Sequence, residues 1–167
     1  GIELHFTPGV LEEVERHLNL PITCLDIGVG AWHGRVPFLL SAYAASGRSL
    51  GHFRSWLENF AGNARPKDDI ANYLAEEFSL TVKGLEEELN RADMAFRSMV
   101  QEVWYAAHER RRRPDVNELD PLSLHRLVAH DVENYVGVIE RRKREKEFAL
   151  GYTSWWLTLD PTAFAVR

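Results

Sequence analysis

Apolar and polar positions alternate over Ile2–Phe6, which predicts a short strand. Thr7-Pro8 then opens a helix: Thr suits the N-cap, Pro suits the first helical position, and Glu12, Glu13 and Glu15 follow. Val10, Leu11, Val14 and Leu18 fall on one face of it, and Pro21 is expected to interrupt it. Ile22–Val29 reads as a second strand running into the glycine-rich stretch Gly28–Gly34. Pro37 and Gly47 bracket a helix carrying Phe38, Leu39, Leu40 and Tyr43. Leu50, Phe53, Trp56, Leu57 and Phe60 keep helical spacing in the next segment. Pro66-Lys67-Asp68-Asp69 starts another helix, with both acids at the positive end of its dipole and Ile70, Tyr73, Leu74 and Phe78 as its apolar stripe.

The second half reads as two long helices and a strand. Leu85, Leu89, Ala92, Phe96, Val100 and Val103 predict one helix from about Gly84 to Arg113. Pro114–Asn117 is a loop. Leu124, Val128, Val132, Tyr135, Val136 and Ile139 predict a helix from Pro121 that continues as a charged stretch to Glu147 and stops by Gly151. Ser154–Leu159 reads as a buried strand closed by Asp160-Pro161. With no internal repeat, the pattern implies one domain over residues 1–167. It is an α/β layer fold with strand and helix at both ends and a helical insertion over about 34–113.

Composition narrows the function. A hydrophobic fraction of 45%, with five Trp, five Tyr and eight Phe, is enough for a sizeable core. The lone Cys24 excludes an internal disulfide and a cysteine-rich zinc site, fits a cytoplasmic setting, and has no evident activating neighbour. No apolar run approaches the ~20 residues a bilayer requires, and no secretory leader is read, so no membrane partner is expected. A net charge of −5 argues against non-specific coating of nucleic acid. It is compatible with a nuclease whose acidic cluster is neutralised by a cation. The positive charge is gathered in Arg110–Arg113 and Arg141–Lys146.

Asp131, just after His130 at the opening of a helix's apolar face, and Asp160, directly after the late strand, are the acids best placed for chemistry. Ligands in α/β sheets sit beyond the carboxyl ends of strands, and carboxylates that share a cleft need a cation between them. The run His130-Asp131-Val132, Gly151-Tyr152 and Trp156-Leu157-Thr158-Leu159-Asp160 resembles the second half of a PIN-type ribonuclease domain. Phe6-Thr7-Pro8-Gly9-Val10-Leu11-Glu12-Glu13 is similar to that family's strand, turn and acidic helix, with Glu13 the closer match and Glu12 next.

The resemblance implies a helix-rich, PIN-like three-layer fold around a small parallel sheet. It also implies hydrolysis of RNA phosphodiester bonds with Mg²⁺ or Mn²⁺ held by Glu13, Asp131 and Asp160. Thr158 would orient the cluster, and Arg110, Arg111, Arg141 and Arg142 would hold the RNA backbone. The family's opening strand, which ends in an Asp, has no match ahead of Ile2. Either it is missing, or Asp26 after Ile22–Leu25 takes its part, with Glu86–Glu88 as the acidic-helix candidates.

Taken singly, these residues have plain structural roles. Asp131 reads as a helix cap, Asp160-Pro161 as a turn, Glu13 as a solvated acid, the arginine runs as helix ends, and Trp155-Trp156 as packing. Two other readings compete. A catalytically degenerate PIN-like interaction module would bind a protein partner or a second copy of the chain. An S-adenosylmethionine-dependent methyltransferase would use Leu25-Asp26-Ile27-Gly28-Val29-Gly30, which is similar to the first glycine-rich motif of those enzymes. The latter lacks the following strand and acid that such a nucleotide-binding unit needs.

Overall fold

A computed structural model describes residues 2–28, 36–62, 64–111, 121–145, 149 and 151–165. It is helix-rich, with a small two-stranded parallel sheet, and its contacts divide the chain into two compact units, Gly1–Lys83 and Gly84–Arg167.

In the first unit, β1 (Leu4–Phe6) is followed by α1 (Pro8–Ile27), α2 (Phe38–Ala45), a 3₁₀ turn (Leu50–His52), α3 (Phe53–Ala61), α4 (Pro66–Phe78) and β2 (Leu80–Val82). Parallel strands need a long crossover, and here the helices supply it. Leu4 pairs with Leu80, His5 with Thr81 and Phe6 with Val82. The strand over Leu80–Val82 was not foreseen, because three residues are too short to carry a readable period.

Of the strand expected over Ile22–Val29, the described residues Ile22–Ile27 are helix instead. Pro21 does not end α1; the helix runs on to Ile27 and is closed by Gly28 at φ 88, whose N–H donates to the Cys24 carbonyl. Packing explains the continuation. Pro21 is buried, and Leu18 before it and Ile22 and Leu25 beyond it share one core with Leu40, Tyr43, Phe53 and Leu57. Contacts of several large side chains offset the roughly 3 kcal/mol that an interior proline costs a helix. A second cluster joins Leu11, Ala61 and Ile70. Between them runs a chain of ring contacts: Tyr43–Trp56 at 4.8 Å, Trp56–Phe60 at 4.9 Å and Phe60–Tyr73 at 5.2 Å. Gly62, at φ 60, cannot be replaced without strain, since a Cβ there would collide with the Asp69 side chain.

In the second unit, the helix expected from Gly84 to Arg113 is two helices, α5 (Glu86–Arg91) and α6 (Met94–Arg111). Asp93 starts α6 by accepting from the Phe96 N–H at 3.0 Å, and Arg97 donates to the Leu89 carbonyl at the end of α5. Two apolar stripes in phase hid that break from the period. α7 (Pro121–Arg142) packs on both, and its Glu133 accepts the Leu85 N–H at 2.9 Å, satisfying an orphan donor at the head of α5. Gly137 lets Leu85 lie directly on α7: a Cβ there would stand 2.6 Å from that of Leu85. Val100, Trp104, Leu124, Val128, Val132 and Val136 form the core. The helix predicted to reach Glu147 ends at Arg142.

The buried strand expected over Ser154–Leu159 is not formed either. The segment has no strand pairing, and Trp155, Leu157 and Leu159 are exposed while Trp156 packs inward. A short helix, α8 (Thr162–Ala165), follows. The loop Pro114–Asn117, Arg112–Arg113, and most of the glycine-rich stretch lie outside the described residues. No helix among the described residues is long and apolar enough to cross a membrane.

Candidate functional site

The end of α6, the middle of α7 and the segment before α8 meet in the second unit. His108 and Arg111 stand three residues apart on α6, hence on one face of its last turns. His108 Nε2 lies 2.8 Å from Asp131 Oδ2, and both side chains are largely buried. Asp131 is therefore no helix cap: α7 begins ten residues earlier, at Pro121, because the apolar stripe extends well upstream of it.

Arg111 reaches to Asp160 instead. Its two terminal nitrogens donate to the two carboxylate oxygens at 2.5 Å each, and one of them also donates to Thr162 Oγ1 at 2.7 Å. This two-pronged geometry is the strongest form of carboxylate recognition. The Asp160 carboxylate also caps α8 by accepting the Thr162 N–H, while Thr158 Oγ1 accepts the Asp160 N–H at 3.1 Å. Arg111 holds the Asp160 carboxyl down to about 2. Burial opposes the shift, and the Thr162 donors add to it. In return the Asp160 hydrogen bonds raise the Arg111 pKa against its burial, and the charges of Asp160 and Asp131 add to the rise. The two late acids singled out in the sequence thus act on a single guanidinium.

The remaining candidates are dispersed. Glu13 lies half-buried on α1 in the first unit, beside Glu12, which pairs with Lys67 at 2.8 Å. Asp26 ends α1 rather than a strand and pairs with Arg54 at 2.7 Å, so the layout that used it as a strand-end acid loses its strand. The methyltransferase motif loses its strand for the same reason. In the alternative acidic helix, Glu87 pairs with Arg91, and Glu88 is committed to Arg141, which donates to it from Nε and Nη2. Burial pushes Glu88 up, but the Arg141 hydrogen bonds, a backbone hydrogen bond and the charges of Arg141 and Arg91 together hold the carboxyl below its usual range. Arg110 is exposed and donates to the Ala106 carbonyl, while Arg142 donates to the Ser154 carbonyl.

Sequence reasoning missed His108 and Thr162. His108 had one available signal, its position one turn before Arg111 on a helix. Thr162 sits two residues after an Asp-Pro pair, where a hydroxyl commonly closes a turn.

Among the described residues no three His, Cys, Asp or Glu side chains gather closely enough to hold a metal ion as they stand. Comparison with protein-family models, with curated proteins and with solved structures finds no match.

Proposed function

We propose that the chain hydrolyses RNA phosphodiester bonds with a divalent cation, on a PIN-like three-layer extension of its α/β fold. One observation supports this above others: Asp131 and Asp160, far apart in sequence, act on the same cation, the Arg111 guanidinium. Carboxylates are the donors that Mg²⁺ or Mn²⁺ takes, and these two are the acids such an ion would use. Asp131 and Asp160, both in the second unit, would hold it. A bound cation supplies a water of lowered pKa and stabilises charge at phosphorus. For that, Arg111 must release the Asp160 carboxylate, and the freed fork is then suited to a phosphate oxygen pair.

The same contact favours a second reading. Arg111 takes both oxygens of Asp160, so the guanidinium would stand permanently in place of a metal in a degenerate, protein-binding module.

Calorimetry with Mn²⁺ separates the two. On the first reading the native chain binds Mn²⁺, and Asp131→Asn or Asp160→Asn each weakens binding by roughly tenfold or more. RNA cleavage then follows the same order. No heat from the native chain would sink the metal reading and leave the module.

A further inference from the structure

Trp156 is turned into the second core, with its ring 6.1 Å from that of Trp104 and 6.1 Å from that of Tyr135. Neighbouring side chains of an extended segment point to opposite sides, so burying Trp156 drives Trp155 outward. Trp155 is 63% exposed and Tyr152 is 48% exposed. The Arg142 guanidinium serves both rings, at 4.9 Å from the Tyr152 centroid and 5.1 Å from that of Trp155.

The arrangement is held from several sides. Arg142 Nε donates to the Ser154 carbonyl at 2.8 Å, and Trp155 Nε1 donates to the Tyr152 carbonyl at 2.9 Å. The Glu145 carboxylate accepts the Thr153 and Ser154 N–H groups and the Ser154 hydroxyl. Glu145 is thus spent on the turn. Among the described residues no carboxylate pairs with Arg142 or with the exposed Arg144.

We infer that Tyr152, Arg142 and Trp155 form a stacking platform for an unpaired nucleic-acid base, with Arg142 and Arg144 facing the adjoining phosphates. Charge argues for this occupant over an apolar peptide: the Arg142 guanidinium lies against both rings, Arg144 is exposed two residues on, and among the described residues neither is paired with a carboxylate, which suits a polyanion. A ring already backed by a guanidinium is a flat, pre-ordered face for a base. A base inside a duplex offers no such face, so the platform selects single strands. The inference rests on the reading of this unit as acting on RNA and names a binding site for it outside the carboxylates.

The test is fluorescence anisotropy with a labelled ten-nucleotide RNA, its DNA equivalent and the blunt duplex of each, using the full chain in EDTA. Both single strands are expected to bind and the duplexes to bind far less. Trp155→Ala should weaken single-strand binding about tenfold, Trp155→Phe should restore most of it, and Arg144→Ala should flatten the salt dependence. Circular dichroism checks that each variant is folded. Equal binding of duplex and single strand, or native affinity in Trp155→Ala, would overturn the platform. So would a native dimer that Trp155→Ala dissociates with no RNA bound, since the face would then belong to a second copy. Because EDTA removes divalent ions, failure here is separate from failure of the Mn²⁺ titration.

Discussion

The two units hold themselves together by different chemistry. In the first, helices are joined by apolar clusters and a run of aromatic rings, and its ion pairs lie at the surface: Arg54 and Asp26 are 55% and 61% exposed. In the second, an equally apolar core is laced with half-buried polar ties. Arg141 and Glu88, at 25% and 15% exposed, join α7 to α5, and His108 and Asp131, at 16% and 23%, join α6 to α7. An exposed pair contributes little because water competes for both partners. A half-buried pair has already lost its water, so removing one partner strands the other. Polar side chains therefore fix how the second unit's elements meet, and this is also where chemistry has charge to work with.

The sharpest way to break that contrast is through the apolar centres, where the two units should behave alike. Phe53→Ala and Trp104→Ala each remove a fully buried ring and should cost about 3–5 kcal/mol. Hydrogen exchange read by mass spectrometry should show protection lost mainly in the unit that carries the change. Spread of either loss evenly over the chain would show that the division into units has no energetic meaning. The contrast itself is measured by a matched pair. Glu88→Gln should cost about 2 kcal/mol in denaturant unfolding, and Asp26→Asn about 0.5 kcal/mol or less. Equal losses would refute the distinction.

A smaller effect than the Glu88 loss is expected in pH. Asp160 lies below its unfolded value in the folded chain, so its pairing stabilises the second unit above about pH 4, and that stability is lost as pH falls through about 2. The full shift corresponds to about 2 kcal/mol, but Arg111 is 43% exposed and solvent screening reduces this to about 1 kcal/mol. Asp160→Asn should remove that part of the acid dependence, and an unchanged profile would mean the pair contributes nothing.

What was legible in the sequence follows the same division. Helices with a cap or proline start and a strong stripe, such as α4 and α7, stand close to where the pattern put them. The errors lie where tertiary contacts outweighed local signals. Pro21 promised a break, but Leu18, Ile22 and Leu25 find one common core on both sides of it. Trp155–Leu159 has the composition of a buried strand, yet its apolar side chains are mostly exposed, because alternation buries one face of an extended segment and leaves the other. Asp131 and Asp160 could be picked out as special, since their types and surroundings are local facts. Their shared partner could not, because Arg111 meets Asp160 across a separation of 49 residues that no periodicity records.

The parallel pairing of β1 with β2 joins residues 76 positions apart, as the His5–Thr81 contact does. On a ribosome that adds about 5–20 residues per second, β1 emerges some ~4–15 s before its partner strand exists. Throughout that interval its N–H and C=O groups form an open edge, and the helices between the strands have time to form first. The sheet thus cannot close until every helix between its strands has been made, which makes it a clasp at the end of the unit's synthesis rather than a frame laid down at its start.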